Sequence, residues 1–197
     1  NAQNPINEYD YFAKSMPPSV WISGTNGKTT TTQMVQTLLA QHGSVAGGNI
    51  GTPLAELDEK APLWILETSS FSLHYTNIAA PKVYLLLPIT PDHLYWHGSM
   101  KEYEEAKLKT LSMIKEGDTV ILPKKHENHP SRAMKLAYEI NEDRAERLDI
   151  ALSRLRFNGA FLQVELLALW VSRLFFDECV YDLIKAMALD AHRHGEL

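Results

Sequence analysis

The 197-residue sequence has a single cysteine, Cys179, so no disulfide can close within the chain and a reducing compartment suits it. Phe175, Phe176 and Val180 surround that cysteine in sequence, which favours a packed, inert thiol over a nucleophile. Long apolar runs are also missing. The longest, over residues 166–171, falls far short of the ~20 residues needed to cross a bilayer. A basic excess is absent as well: 19 Lys and Arg against 24 Asp and Glu leave a net charge of -5. That balance argues against a general nucleic-acid binder, though not against a local cationic site for phosphate. Residues 1–10 are polar, with neither an initiator methionine nor an apolar leader, and lead into Pro17-Pro18. The sequence is therefore read as a soluble, cytoplasmic piece of a longer protein, with residues 1–18 as a linker.

The apolar pattern places four strands, at Ser19–Ser23, 63–66, 83–87 and 119–122. Between the first two, Met34, Val35, Leu38 and Leu39 recur at helical spacing before Gly43 stops the run. A longer helix is expected over residues 99–114. Strands alternating with helices predict an α/β fold, a mostly parallel sheet flanked by helices. Residues 124–158 are charged and carry no clear period. Beyond them, Val164, Leu167, Ala168, Val171, Leu174 and Phe175 predict a helix over 160–176, and a shorter one is expected over 181–187.

The chemistry concentrates where predicted strands end. Gly24-Thr25-Asn26-Gly27-Lys28-Thr29 lies between the first strand and its helix. Small residues let backbone N–H groups approach phosphate oxygens, a lysine adds charge, and a hydroxyl can ligate magnesium. The strict phosphate-loop pattern wants glycine where Ile22 stands, so this is a variant, and a plain strand-to-helix turn is the bland alternative. Gly47-Gly48-Asn49-Ile50-Gly51 puts three glycines in five residues, which points to positive φ or close ligand approach, with an ordinary flexible loop as the bland and favoured alternative. Glu67 closes the second strand, where a carboxylate could complete a magnesium shell begun by Thr29 or could simply be solvated. His93 and His97 have a zinc-like spacing, but the glutamate of a zinc-protease helix is lacking, and the reading is against zinc. Lys107 sits in the apolar stripe Met100, Tyr103, Leu111, Ile114. A snorkelling stem is the ordinary explanation. The alternative is a desolvated, neutral amine able to add carbon dioxide and become a carbamate ligand.

In order along the chain, these segments resemble the central ATP-binding domain of the Mur ligase family over nearly the whole sequence. The carriers are Gly-Thr-Asn-Gly-Lys-Thr-Thr at 24–30, Gly-Gly-Asn-Ile-Gly at 47–51, Glu-Thr-Ser-Ser-Phe-Ser-Leu at 67–73, Asp92-His93, and Tyr-Glu-Glu-Ala-Lys-Leu at 103–108. The segment at 67–73 is most similar to the branch of the family that adds D-glutamate. The resemblance implies a P-loop-type domain over 19–190, with 191–197 as a hinge into a further domain. It implies ATP bound by Gly24, Thr25, Asn26, Gly27, Lys28, Thr29, Thr30 and Arg193. Two magnesium ions are implied, one held by Thr29 and Glu67, the other by His93 and an N-carboxylated Lys107. Lys28, His93 and Lys107 are the implied catalytic residues.

Asn49 and Ser69 would touch UDP-N-acetylmuramoyl-L-alanine, and the second substrate would be D-glutamate. The implied reaction passes through an acyl phosphate and releases ADP and phosphate, carried out by a monomer with no nucleic-acid or membrane partner. The isolated domain is expected to be inactive. The sequence departs from the family pattern at Pro88, Tyr95 and the stretch Phe161-Leu162…Glu165, the last of which bears on adenine. A different ATP-dependent amide ligase, such as a folylpolyglutamate synthase, and a nucleotide-switched binding module are the competing readings. The second of these leaves Lys107 unexplained.

Overall fold

A computed structural model describes residues 6–138. The helices expected over 160–176 and 181–187, Phe161-Leu162, Cys179, Arg193 and the 191–197 hinge lie outside the described residues.

The described chain runs α1 (Glu8–Phe12), β1 (Ser19–Ser23), α2 (Lys28–Leu39), β2 (Val45–Gly48), β3 (Trp64–Glu67), α3 (Ser70–Tyr75), β4 (Val83–Leu86), α4 (Leu94–His97), α5 (Met100–Leu108), α6 (Thr110–Met113), β5 (Thr119–Pro123) and β6 (Met134–Tyr138). The six strands form one sheet in the order β2-β3-β1-β4-β5-β6. Every neighbouring pair is parallel. β1 therefore lies inside the sheet between β3 and β4, with Ile22 paired to Glu67 on one side and to Leu85 on the other.

Side chains alternate across a strand, so each face of this sheet needs its own cover. Trp21, Trp64, Leu66, Tyr84, Leu86, Val120 and Leu122 join one core with Tyr9 and Phe12 of α1, Leu73 of α3, Tyr103 and Leu108 of α5 and Leu111 of α6. The intervening Val20, Ile22, Ile65, Leu85 and Ile121 are equally buried. α2 lies against β1, β2 and β3, and its Val35 and Leu39 are buried. Burying one such aliphatic side chain contributes about 1.5–3 kcal/mol, which makes β-branched and aromatic strands worth forming here.

Four elements differ from the sequence reading. Gly47 and Gly48 are not loop but the end of strand β2. A Cβ on Gly47 would strike the Thr52 carbonyl oxygen, and one on Gly48 the Glu67 carbonyl oxygen; Gly48 also holds φ 108°, so crowding and, at Gly48, a positive φ demand glycine. Strand β6 emerges from the charged stretch 124–158, half-exposed at the sheet edge, where only its pairing with β5 and not a hydrophobic run defines it. The helix over 99–114 is divided at Lys109 into α5 and α6. Finally, residues 8–12, within the segment read as a linker, form a helix that inserts Tyr9 and Phe12 into the core.

Candidate functional site

In an open parallel sheet, ligands bind beyond the carboxyl ends of the strands. Here those ends deliver the Gly24–Thr29 loop from β1, Asn49 from β2, Glu67 from β3 and the 87–93 segment from β4 to one edge.

The loop is shaped by contact with β4. A Cβ on Gly24 would lie 2.5 Å from the Leu87 Cβ, and Gly24 also holds φ 144°. Thr25 fastens the other side: its N–H donates to Pro88 O at 3.1 Å, its hydroxyl to Thr90 O at 3.0 Å, and it accepts from the Thr90 N–H at 2.9 Å. Gly27, at φ 82°, caps α2 without any side-chain hydrogen bond. The first-turn N–H groups of α2, which no intrahelical carbonyl can satisfy, therefore face the loop as an anion-binding terminus. Asn26 is exposed and Thr30 half-buried beside it. Lys28 brings its ammonium back over the loop, donating to Thr25 O at 2.8 Å. A triphosphate suits this cradle: backbone donors, one cation and, at Gly24, a backbone with no room for a Cβ.

Glu67 is 1% exposed, and its carboxylate is fully engaged. The Thr29 hydroxyl donates to one oxygen at 2.8 Å and the Asn49 amide to the other at 3.0 Å. Thr29 and Glu67 thus present two hard oxygen donors side by side, a donor set appropriate to magnesium. Among the described residues, no group of three or more His, Cys, Asp or Glu side chains is placed to hold a metal. A cation here would therefore need oxygens from its ligand or from water, which is how magnesium is commonly bound.

Lys107 lies fully buried on the inner face of α5, 1% exposed. Its Nζ donates to Gly24 O at 2.9 Å, reaches Ser23 Oγ at 3.4 Å, and stands 4.9 Å from the Tyr103 ring centroid. Among the described residues, no carboxylate touches it. Burial, with a smaller contribution from Lys28, brings its pKa down from the ordinary 10.5 to about 7, against an opposing pull from Asp92. A large fraction is accordingly a neutral amine at physiological pH. Its main chain is fixed too, because the Tyr84 hydroxyl donates to Lys107 O at 2.9 Å.

His93 is the only non-glycine among the described residues with positive φ, at 50°. Such left-handed backbone is uncommon outside glycine, asparagine and aspartate, and here it turns the chain into α4. The ring stays partly exposed beside Asp92, with Nε2 3.4 Å from Oδ2, packs at 4.9 Å on Phe71 and lies 6.3 Å from Tyr103. The Tyr103 ring thus neighbours both His93 and Lys107. The sequence reading named Tyr103 in a stripe and in the 103–108 motif but gave it no role in the site, although its position four residues before Lys107 puts the two on one helix face.

His97, in contrast, turns inward. It pairs with Ser70 Oγ at 3.0 Å and stacks against Phe71, and burial first, then His74, Lys107 and His93, lowers its pKa below the usual histidine value. Ser69 caps α3 by accepting from the Ser72 N–H at 3.0 Å and is buried. Its hydroxyl is thus engaged locally, at the same strand end as Glu67 but not in contact with the loop residues through any bond recorded for it. Tyr9, unnoticed in sequence, donates its hydroxyl to Glu67 O at 3.1 Å. No helix among the described residues is long and apolar enough to cross a membrane.

The chain is similar to known proteins in sequence and in fold. UDP-N-acetylmuramoylalanine--D-glutamate ligase of Campylobacter jejuni (strain 81-176) is 50% identical over 196 residues, covering 100% of this chain and 49% of that protein. The Helicobacter pylori (strain 26695) protein of the same name is 49% identical over 184 residues, 88% of this chain and 44% of its own length. The chain thus spans about half the length of the curated relatives it matches. Among solved structures, MurF ligase from Thermotoga maritima in complex with ADP superposes with a TM-score of 0.54 at 22% identity, over 66% of this chain and 34% of that one, a likeness of fold. The family model for the Mur ligase middle domain matches residues 22–161, most of the sequence and all of the site described above except Tyr9, and the chain belongs to that family.

Proposed function

We propose that this chain is the nucleotide-binding part of an ATP-dependent ligase that joins D-glutamate to UDP-N-acetylmuramoyl-L-alanine, releasing ADP and phosphate. The observation that carries the reading is 50% identity along the whole chain to relatives bearing that activity in their name. The geometry of the sheet edge supports it.

In this reading Gly24, Thr25, Asn26, Gly27, Lys28, Thr29 and Thr30 receive the triphosphate, and Asn49 and Ser69 face the muramoyl substrate. Thr29 and Glu67 would hold one magnesium ion, and His93 with an N-carboxylated Lys107 a second. These ions supply charge neutralisation, which lets a carboxylate approach a polyanion. Lys28 adds a positive charge, and the unpaired first turn of α2 adds fixed dipoles. The substrate carboxylate attacks the γ-phosphorus as the bond to the bridging oxygen breaks, giving an acyl phosphate and ADP. The D-glutamate amine then attacks the acyl carbon, phosphate leaves with the C–O electron pair, and the amine gives up its proton.

Lys107 suits carboxylation because the neutral amine is the form that adds carbon dioxide, and burial outweighs the pull of Asp92 toward the protonated form. Ser23, Gly24 O and the Tyr103 ring confine its Nζ. The full-length protein is expected to form ADP and phosphate only when both UDP-N-acetylmuramoyl-L-alanine and D-glutamate are present, measured by coupled release of the two products. Turnover indifferent to either substrate would refute the reading.

A further inference from the structure

The residue that meets Thr29 at the phosphate edge is held by more than its carboxylate. Glu67 is the last residue of β3, and its main-chain oxygen accepts two hydrogen bonds, from the Asn49 N–H at 2.8 Å and the Tyr9 hydroxyl at 3.1 Å. Both lone pairs of that carbonyl are thereby used. Gly48 closes on the same oxygen so tightly that it has no room for a Cβ. Glu67 is consequently fixed at both ends, the carboxylate by Thr29 and Asn49 and the carbonyl by Asn49 and Tyr9.

Tyr9 is itself rigidly placed. It is 2% exposed, and its ring packs edge-on against Trp21 at 4.8 Å. The helix that carries it is anchored on either side. Asn7 Nδ2 donates to Ser72 O at 2.6 Å and to Thr76 Oγ1 at 3.0 Å. Asp10 accepts the N–H groups of Asn77, Ile78 and Ala79 at 2.8, 2.9 and 2.9 Å. Those partners all belong to the segment that leaves Glu67 through α3, so α1 grips that segment at its start and at its end. Burial, together with the charges of Glu8 and Glu67, raises the phenol pKa far above the ordinary 10, so the hydroxyl remains a donor at any working pH. A ring needed only for packing would be as well served by phenylalanine, which buries no hydroxyl.

We propose that Tyr9 is a positioning residue of the phosphate and cation site, fixing the main chain of Glu67 and hence the carboxylate that faces Thr29. The inference rests on the nucleotide reading given above. It joins the segment preceding β1 to the magnesium-dependent part of binding. A shift of α1 would be transmitted to Glu67 through one hydrogen bond, whereas the N–H groups of the glycine loop, held by Thr25 and Leu87, would keep their places.

The test is calorimetric titration of ADP into the full-length protein with and without magnesium. The wild type is expected to bind ADP more tightly with the metal. Tyr9→Phe is expected to weaken magnesium-ADP binding by about 3- to 10-fold, the loss of one buried hydrogen bond, while leaving metal-free ADP binding unchanged. In a Glu67→Gln background the same substitution should produce no further loss, because Tyr9 acts through that carboxylate. Equal weakening with and without magnesium, or no weakening at all, overturns the role of Tyr9 while leaving the nucleotide reading standing. A wild-type protein that binds no ADP sinks the nucleotide reading and this inference with it. If Tyr9→Phe does not fold, Asp10→Asn loosens the other anchor of α1 and is expected to show the same magnesium-selective loss; an unchanged magnesium effect in that variant overturns the proposal.

Discussion

Gly24→Ala tests whether the phosphate loop is shaped by contact with β4 or merely by the turn that glycine permits. The added methyl would sit 2.5 Å from Leu87 Cβ, 3.1 Å from its Cα and 3.2 Å from its carbonyl carbon, so two of the three clashes are with backbone. Leu87 follows directly on β4 and its N–H donates to Ser23 O at 2.8 Å, which ties it to β1 and leaves it little freedom to retreat. Overpacking of this kind costs about 1–3 kcal/mol. Alanine at φ 144° adds about 1 kcal/mol or more of backbone strain. The sum, about 2–4 kcal/mol, should lower the melting temperature by about 4–16 °C in scanning calorimetry. The comparison is Gly117→Ala. Gly117 also has positive φ, 87°, but nothing lies within 4 Å of a Cβ there. Only the dihedral cost remains, about 1 kcal/mol, for a shift of about 2–4 °C. ADP affinity should fall about tenfold or more in Gly24→Ala, since the loop must move to admit the methyl, and stay at the wild-type value in Gly117→Ala. Equal destabilisation by the two substitutions, with ADP binding intact in both, would refute the claim that close approach to Leu87 shapes the loop.

Two further outcomes are expected. Lys107 has a folded pKa of about 7, below its ordinary 10.5, so between those values the unfolded chain binds more protons and stability rises with pH. The burden is absent above the ordinary value, grows as pH falls through the window, and is complete below about 7. Lys107→Met should therefore raise the melting temperature more at pH 7 than at pH 9.5, and a gain independent of pH would contradict the assigned burial. Asp10→Ala leaves the N–H groups of residues 77–79 without their acceptor, that of Ala79 buried and those of Asn77 and Ile78 partly so. A loss of about 2–4 kcal/mol in urea unfolding is expected, and a loss under 0.5 kcal/mol would show that water replaces the carboxylate at no cost.

The parts legible in sequence are those where one local signal suffices. β1, β3, β4 and β5 lie within a residue of their expected bounds because buried parallel strands are short, unbroken apolar runs. The glycine loop was legible for a similar reason, since its residue types are dictated by one chemical task. Lys107 was singled out by contrast with its stripe, and its burial agrees with that placement. What escaped depends on partners distant in sequence. β2 reads as a loop because two glycines carry no strand propensity, and the nearness of Thr52 and Glu67, with the positive φ of Gly48, explains them. α1 reads as a linker because five residues give no period, though Asn7 is a sound N-cap with its side chain accepting from the Tyr9 N–H. The bond from Tyr9 to Glu67 spans 58 residues, and no spacing rule reaches that far.

The helix that follows the phosphate loop is built from unpromising material. Four successive threonines open it, and Thr31, Thr32 and Thr37 turn their hydroxyls back onto the carbonyls of Gly27, Lys28 and Gln33 at 2.8, 2.9 and 2.8 Å. Threonine loses side-chain freedom in a helix, and such back-bonding weakens the ladder slightly. Twelve residues of this kind would scarcely be helical alone, since even alanine-rich helices of that length are marginal in water. α2 consequently owes its existence to the strands beneath it, among them β3, which is made 25 residues after the helix ends. The phosphate cradle is thus stable only on the assembled sheet. An anion seated at that terminus stabilises the helix on which it rests, so ligand concentration in the cell bears on how much of the chain stays folded as well as on how much of it is occupied.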